Sequence, residues 1–207
     1  MKNEMKDVLK DCIEDGANLF QDNELAFLAL QGKIELQLRD KIAWLLYKKG
    51  YYNVKKEYAP RVEDIGRKKC DLAILDDDLK PICMVEFKAH SSAKWESHYK
   101  KCFEEDLDKM RQMTQQGQFK DVQLFYIFFQ TVHTRTFETE RDTTLVPYCD
   151  VINSGVIHHA ETTLKKQWED MCSREDSPEL ISSVVIEAGE YLEDTVTIHA
   201  MIFGPTK

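Results

Sequence analysis

The chain has 207 residues, 43% of them hydrophobic and 31% charged, the balance of an ordinary soluble globular protein with length for one domain and a full core. No apolar run approaches a membrane span, and the opening MKNEMKDVLKDCIEDG lacks the apolar stretch of a signal peptide, so a cytoplasmic protein without a membrane partner is expected. Six scattered cysteines with no C-x-x-C pair fit reduced thiols better than a disulfide framework, and a net charge of −9 is awkward for a nucleic-acid enzyme, because phosphate contacts carry much of such affinity.

Residues 1–20 place Met5, Val8, Leu9, Cys12, Ile13, Ala17 and Phe20 at helical spacing, with acids on the opposite side. Asp22-Asn23 offers an N-cap for a second helix over 24–49, with a possible break at Gly32 and a C-terminal stop at Gly50. Its later part has Ile34, Leu38, Ile42, Leu45 and Leu46 as the buried stripe. Glu35 borders that stripe one turn before Arg39, where it is either a surface ion pair with Arg39 or a group facing a site. Tyr51–Ala59 alternates as a first strand, and Glu57 near its end reads as an exposed strand glutamate. Residues 60–69 form a polar loop that ends Gly66-Arg67-Lys68-Lys69.

The next stretch, CDLAILDDDLKPICMVEFKA over 70–89, organises the chain. Two apolar runs flank an acidic, Pro-marked turn, as expected of neighbouring strands buried on both faces. Glu86 and Lys88 are two apart and share one strand face, while Val85 and Phe87 point to the other. An antiparallel pairing through the short turn brings Asp71 to the end of the second strand. Two carboxylates and an ammonium then converge at one end of an apolar hairpin, a costly burial unless the groups pair or hold a metal. A magnesium site built on Asp71 and Glu86 answers that cost, because hard carboxylate oxygens suit magnesium and leave room for water and phosphate.

From Ser91 or Ser92 a helix is expected to about Gln116, with Trp95, Cys102, Phe103, Leu107, Met110 and Met113 on its buried side. Lys94, Lys101, Lys109 and Arg111 are candidate substrate contacts, most of them ordinary helix-surface charges. His90, two past Lys88, reads as incidental. Val122–Val132 is the strongest strand and, reached through a helix, should lie parallel to its predecessor. Residues 134–144 read as a charged loop, and 155–172 as a helix. Ser183–Ala188 and Thr195–Phe203 read as a strand pair around an acidic turn.

Asp71, fourteen intervening residues, then Glu86-Phe87-Lys88 resembles the D-x(n)-E-x-K core of the PD-(D/E)xK nuclease superfamily, although Cys70 stands where that pattern has Pro. The helix after the E-x-K strand also resembles the family's, where E-D-L-x-K-M-like phrases recur. The resemblance spans about residues 33–131 and implies an α/β, restriction-endonuclease-like αβββαβ core with a mixed sheet flanked by helices. Residues 1–32 are then an N-terminal helical extension and 132–207 a C-terminal helix and β-hairpin. It implies Mg2+, with Mn2+ able to substitute, held by Asp71, Glu86, the Phe87 carbonyl and Glu35. Lys88 would orient or deprotonate the attacking water and offset charge on the phosphorane, and the product would carry a 5′-phosphate.

The local charge from 48 to 69 is +5 and that from 161 to 194 is −7, the asymmetry of a nucleic-acid face with an averted back. Arg67, Lys68, Lys69 and Lys94 are the candidate phosphate contacts. The leading expectation is a magnesium-dependent nuclease acting on DNA. The alternative is a catalytically idle nuclease-like binding module, with the acidic C-terminal region serving a protein partner or a homodimer. Walker, Rossmann, nucleophile-elbow and zinc patterns are absent from the sequence.

Overall fold

A computed structural model describes residues 2–32, 34–59, 69–91, 100–114, 119, 121–146 and 178–206. Helices α1 (Lys2–Ala17), α2 (Glu24–Gln31) and α3 (Glu35–Lys48) precede strands β1 (Val54–Tyr58), β2 (Cys70–Leu75) and β3 (Pro81–Ser91). Then come α4 (Lys100–Thr114), β4 (Gln123–His133), α5 (Glu140–Leu145), β5 (Leu180–Tyr191) and β6 (Asp194–Thr206). The six strands form one mixed sheet in the order β1-β2-β3-β4-β6-β5, flanked by helices.

The apolar runs dictate the centre of that sheet. β2 and β3 form the expected antiparallel hairpin, and β3 and β4 run parallel across α4. β4 has every residue buried, as a strand with neighbours on both edges and layers on both faces requires. The C-terminal strand pair forms as expected, and β6 joins the edge of β4 antiparallel, so the hairpin extends the sheet.

Alternation along the strands sorts the core into two layers. Val85, Phe87, Phe129 and Ile198 pack with Leu9, Ile13, Leu30 and Leu38 of α1–α3. Met84, Tyr126, Phe128 and Phe203 occupy the other face with Leu107 of α4. The N-terminal helices therefore share their core with the C-terminal hairpin as well as with the central strands.

The helix expected over 24–49 is two helices, with the break at Gly32 that the sequence allowed, and Gly50 follows α3 as expected with φ +97°, the left-handed geometry that glycine supplies at a helix end. Other boundaries differ from the sequence reading. Asn23 does not cap α2 with its side chain. Its Oδ1 accepts instead from Glu190 N at 2.9 Å. That contact requires Gly189, which has φ +104° and where a Cβ would lie 2.6 Å from Asn23 Oδ1. Ser91 belongs to β3, because pairing with β4 carries the strand to Thr131, and Ser92, the other cap candidate, lies outside the described residues. Within the supposed charged loop, Thr139 and Asp142 close a capping box that starts α5. The helix expected over 155–172 lies outside the described residues. No helix among the described residues is long and apolar enough to cross a membrane.

Phe87 and Phe129 stack across β3 and β4 with centroids 6.1 Å apart and rings 7° from parallel. Phe129→Ala, which empties a fully buried site, should cost about 3–5 kcal/mol of unfolding free energy in a urea titration.

Candidate functional site

The site grows from a mismatch of strand lengths. The β2 ladder on β3 runs as far as Leu72–Val85, whereas the β4 ladder continues to Ser91. Past Val85, β3 therefore presents backbone groups on its β2 side without a strand to receive them, and buried amides must find acceptors. Side chains supply them. Asp71 Oδ2 accepts from Phe87 N at 2.8 Å, and Glu35 Oε2 accepts from Ala89 N at 3.2 Å. Two residues apart on one strand, these amides share an edge.

Glu35 thus reaches the core strand from the first turn of α3. Arg39, the surface partner considered for it, is itself buried and bonds Asp40 and Glu57. Glu57 is the half-exposed strand glutamate expected, in left-handed backbone (φ +51°) opposite the start of β2. Cys70, standing where the nuclease pattern has Pro, lies with Sγ 3.1 Å from Val85 O and 3.1 Å from Leu72 O, so its thiol can donate across the hairpin. Burial pushes that thiol far up in pKa, which makes it a small core side chain rather than a nucleophile.

Glu86 and Lys88 share the α4 side of the sheet with Met84 and Tyr126. Two ion pairs tie them to the helix. Lys109 Nζ lies 2.9 Å from Glu86 Oε1 and 2.8 Å from Oε2, and Lys88 Nζ lies 2.9 Å from Asp106 Oδ2. Glu86 is only 8% exposed. Burial first, and the neighbouring Asp71 second, raise its pKa to about 7 despite the opposing pull of Lys109. Burial also raises Asp71, against the stabilising Phe87 amide and Lys109. Lys88 is raised, the Asp106 carboxylate overcoming its desolvation. The phenol of Tyr126, fully buried in register with Glu86, is pushed far up by burial and then by Asp106, Glu86, Glu35 and Asp71. Four carboxylates are therefore gathered in one field with two ammonium groups.

That arrangement brings together Glu35, Asp71, Glu86, Phe87 and Lys88. Lys88 Nζ is paired with Asp106 Oδ2, which favours its charged form. Lys69 is exposed and lies 4.0 Å from Glu57. Arg67, Lys68 and Lys94 fall outside the described residues, as does the side chain of His90. Sequence reasoning missed Asp106 and set Lys109 among the surface charges. Their signal was present: they flank buried Leu107 at a spacing of three, on one face of α4.

Among the described residues, no three His, Cys, Asp or Glu side chains are gathered so as to hold a metal ion as they stand. Magnesium, however, is commonly held by one or two carboxylates with water and phosphate completing its shell. Asp71 and Glu86 offer two carboxylates with the hard oxygens such an ion takes, and the Lys109 ammonium spans both Glu86 oxygens. No protein-family model matches this chain, and neither a curated protein nor a solved structure does.

The raised pKa of Glu86 makes stability depend on pH. The folded state holds this proton more tightly than the unfolded chain, so its stabilising contribution is full below about pH 4.5 and is lost as pH rises through about 7. Wild type should fall behind Glu86→Gln by roughly 3 kcal/mol over that window in paired denaturant titrations. Asp71→Asn should lower the Glu86 pKa in a carboxyl-13C NMR titration; an unchanged value would show that the two side chains do not sense each other.

Proposed function

We propose that this chain is a divalent-metal-dependent nuclease of the PD-(D/E)xK type, hydrolysing phosphodiester bonds in DNA. The observation that carries the reading is the pair Asp71 and Glu86 on adjacent strands, both with raised pKa, with Lys88 beside them on the Glu86 face. Burying mutually repelling carboxylates costs stability that a packing role would not require. Four carboxylates against two ammonium groups leave an excess of negative charge suited to a dication.

Asp71 and Glu86 would hold Mg2+, with Mn2+ as a substitute, and the Phe87 carbonyl and Glu35 are the further ligands that the resemblance implies. Bound there, the ion supplies Lewis-acid charge to the phosphate. Lys88 does two things. Its ammonium, fixed by Asp106, orients the attacking water and offsets charge as the phosphorus becomes five-coordinate. In the reaction, water oxygen bonds to phosphorus, the P–O3′ bond breaks opposite it, and a 5′-phosphate and a 3′-hydroxyl remain. A restriction-endonuclease-like core belongs to the same proposal: α3, the β1-β2-β3 antiparallel set, α4 and parallel β4 follow one another in that order.

A second reading has one observation in its favour. Asp71, Glu35 and Glu86 already have partners in Phe87 N, Ala89 N and Lys109, which is how an idle site kept for binding would look. Cleavage of supercoiled, linear and single-stranded DNA with Mg2+ or Mn2+ separates the two. The nuclease reading expects metal-dependent cutting that falls at least about a hundredfold in both Asp71→Ala and Lys88→Ala. Equal cutting by wild type and variants would show that the proposed site is wrong or idle, and a wild type that neither cuts nor binds metal would leave the binding module ahead.

A further inference from the structure

We propose that Lys109 is a built-in counter-cation that competes with the divalent metal for Glu86, so that metal binding has to move its ammonium off the carboxylate. The inference rests on the metal-site reading of Asp71 and Glu86. Its own support is geometric. Lys109 Nζ lies 2.8 and 2.9 Å from the two Glu86 oxygens, so one ammonium spans the whole face of the carboxylate. Both side chains are largely buried, at 15% and 10% exposed, and water cannot share the contact freely. An ammonium and a dication drawn to the same carboxylate repel one another at short range in poorly screened surroundings.

α4 also provides a place for the displaced charge. Asp106 lies one turn before Lys109 on the same helix, within reach at a spacing of three. Its carboxylate currently holds Lys88 Nζ at 2.9 Å. The two ion pairs between sheet and helix, Glu86–Lys109 and Lys88–Asp106, therefore share an alternative in which Lys109 turns to Asp106. Asp106 then holds both ammonium groups, and Lys88 stays where it orients the attacking water. Lys109 is a positioning residue in this scheme, acting through Glu86. The competing account is that Lys109 simply staples α4 to the sheet, in which case its removal lowers stability and leaves metal affinity unimproved.

Isothermal titration of Mg2+ into the full chain decides between them. Wild type, Lys109→Gln, Lys109→Met and Lys109→Arg are compared at pH 9, well above the range in which Glu86 titrates, with thermal melts verifying that each is folded. The two neutral variants should bind Mg2+ about tenfold more tightly than wild type, and Lys109→Arg should bind like wild type. Lys109→Gln, which keeps a hydrogen-bond donor for the carboxylate, carries the test if Lys109→Met does not fold. Unchanged or weaker affinity in a folded neutral variant overturns the counter-cation role while the metal site itself stands. Absence of Mg2+ binding by all four proteins overturns the metal-site reading and this inference together.

Discussion

A buried glutamate beside a second carboxylate is the constraint around which this molecule is arranged. Glu86 lies on a central strand, in a setting that raises its pKa to about 7, with Asp71 adding to the strain. Water cannot solvate it, so protein groups must. Lys109 comes from α4, and Asp106 on the same helix answers for the charge of Lys88. The helix is held against the sheet by polar pairs as well as by Leu107. Replacing this set with apolar side chains of similar volume would be expected to stabilise the fold. Its presence is the basis of the nuclease proposal.

The second requirement is the overhang of β3. A fully paired hairpin would have occupied the amides of Phe87 and Ala89 with backbone carbonyls. Because β2 starts late, two carboxylates take those amides instead and are drawn to the strand edge. The register of the sheet thus positions acidic side chains through ordinary hydrogen-bond satisfaction. Cys70 contributes from the same gap, with its thiol set between Leu72 O and Val85 O. A proline at that position would have no donor to offer, so the departure from the nuclease pattern is accommodated locally.

Much of this was legible in the sequence because apolar runs and their punctuation carry strong signals. The β2–β3 hairpin, the parallel β4, the break at Gly32 and the C-terminal strand pair all follow from run length, turn residues and periodicity. Local patterns are silent about partners far away in the chain. Asn23 looked like a helix cap and instead binds Glu190 N, a residue brought near by tertiary packing alone. Glu35 had two equal readings, and the contact seen is with Ala89 N, while Arg39 pairs with Glu57. Asp106 and Lys109 could be placed on one helix face from spacing, but not opposite Lys88 and Glu86. The charge asymmetry of the sequence remains the weakest guide to function, since three of the four proposed phosphate contacts, Arg67, Lys68 and Lys94, lie outside the described residues.

The shared core of α1, α2, β5 and β6 has a consequence for the order of assembly. During synthesis the apolar faces of the N-terminal helices emerge first, while the strands that cover Leu9, Ile13 and Leu30 are made more than 140 residues later. β6 must also slot between β4 and β5, two strands separated by 46 residues. Contacts of such long sequence range close slowly and leave the earlier segments sticky in the meantime. The apolar faces of α1 and α2 therefore stay uncovered until β5 and β6 have been made, and the sheet gains its last central pairing only when β6 joins β4 and β5.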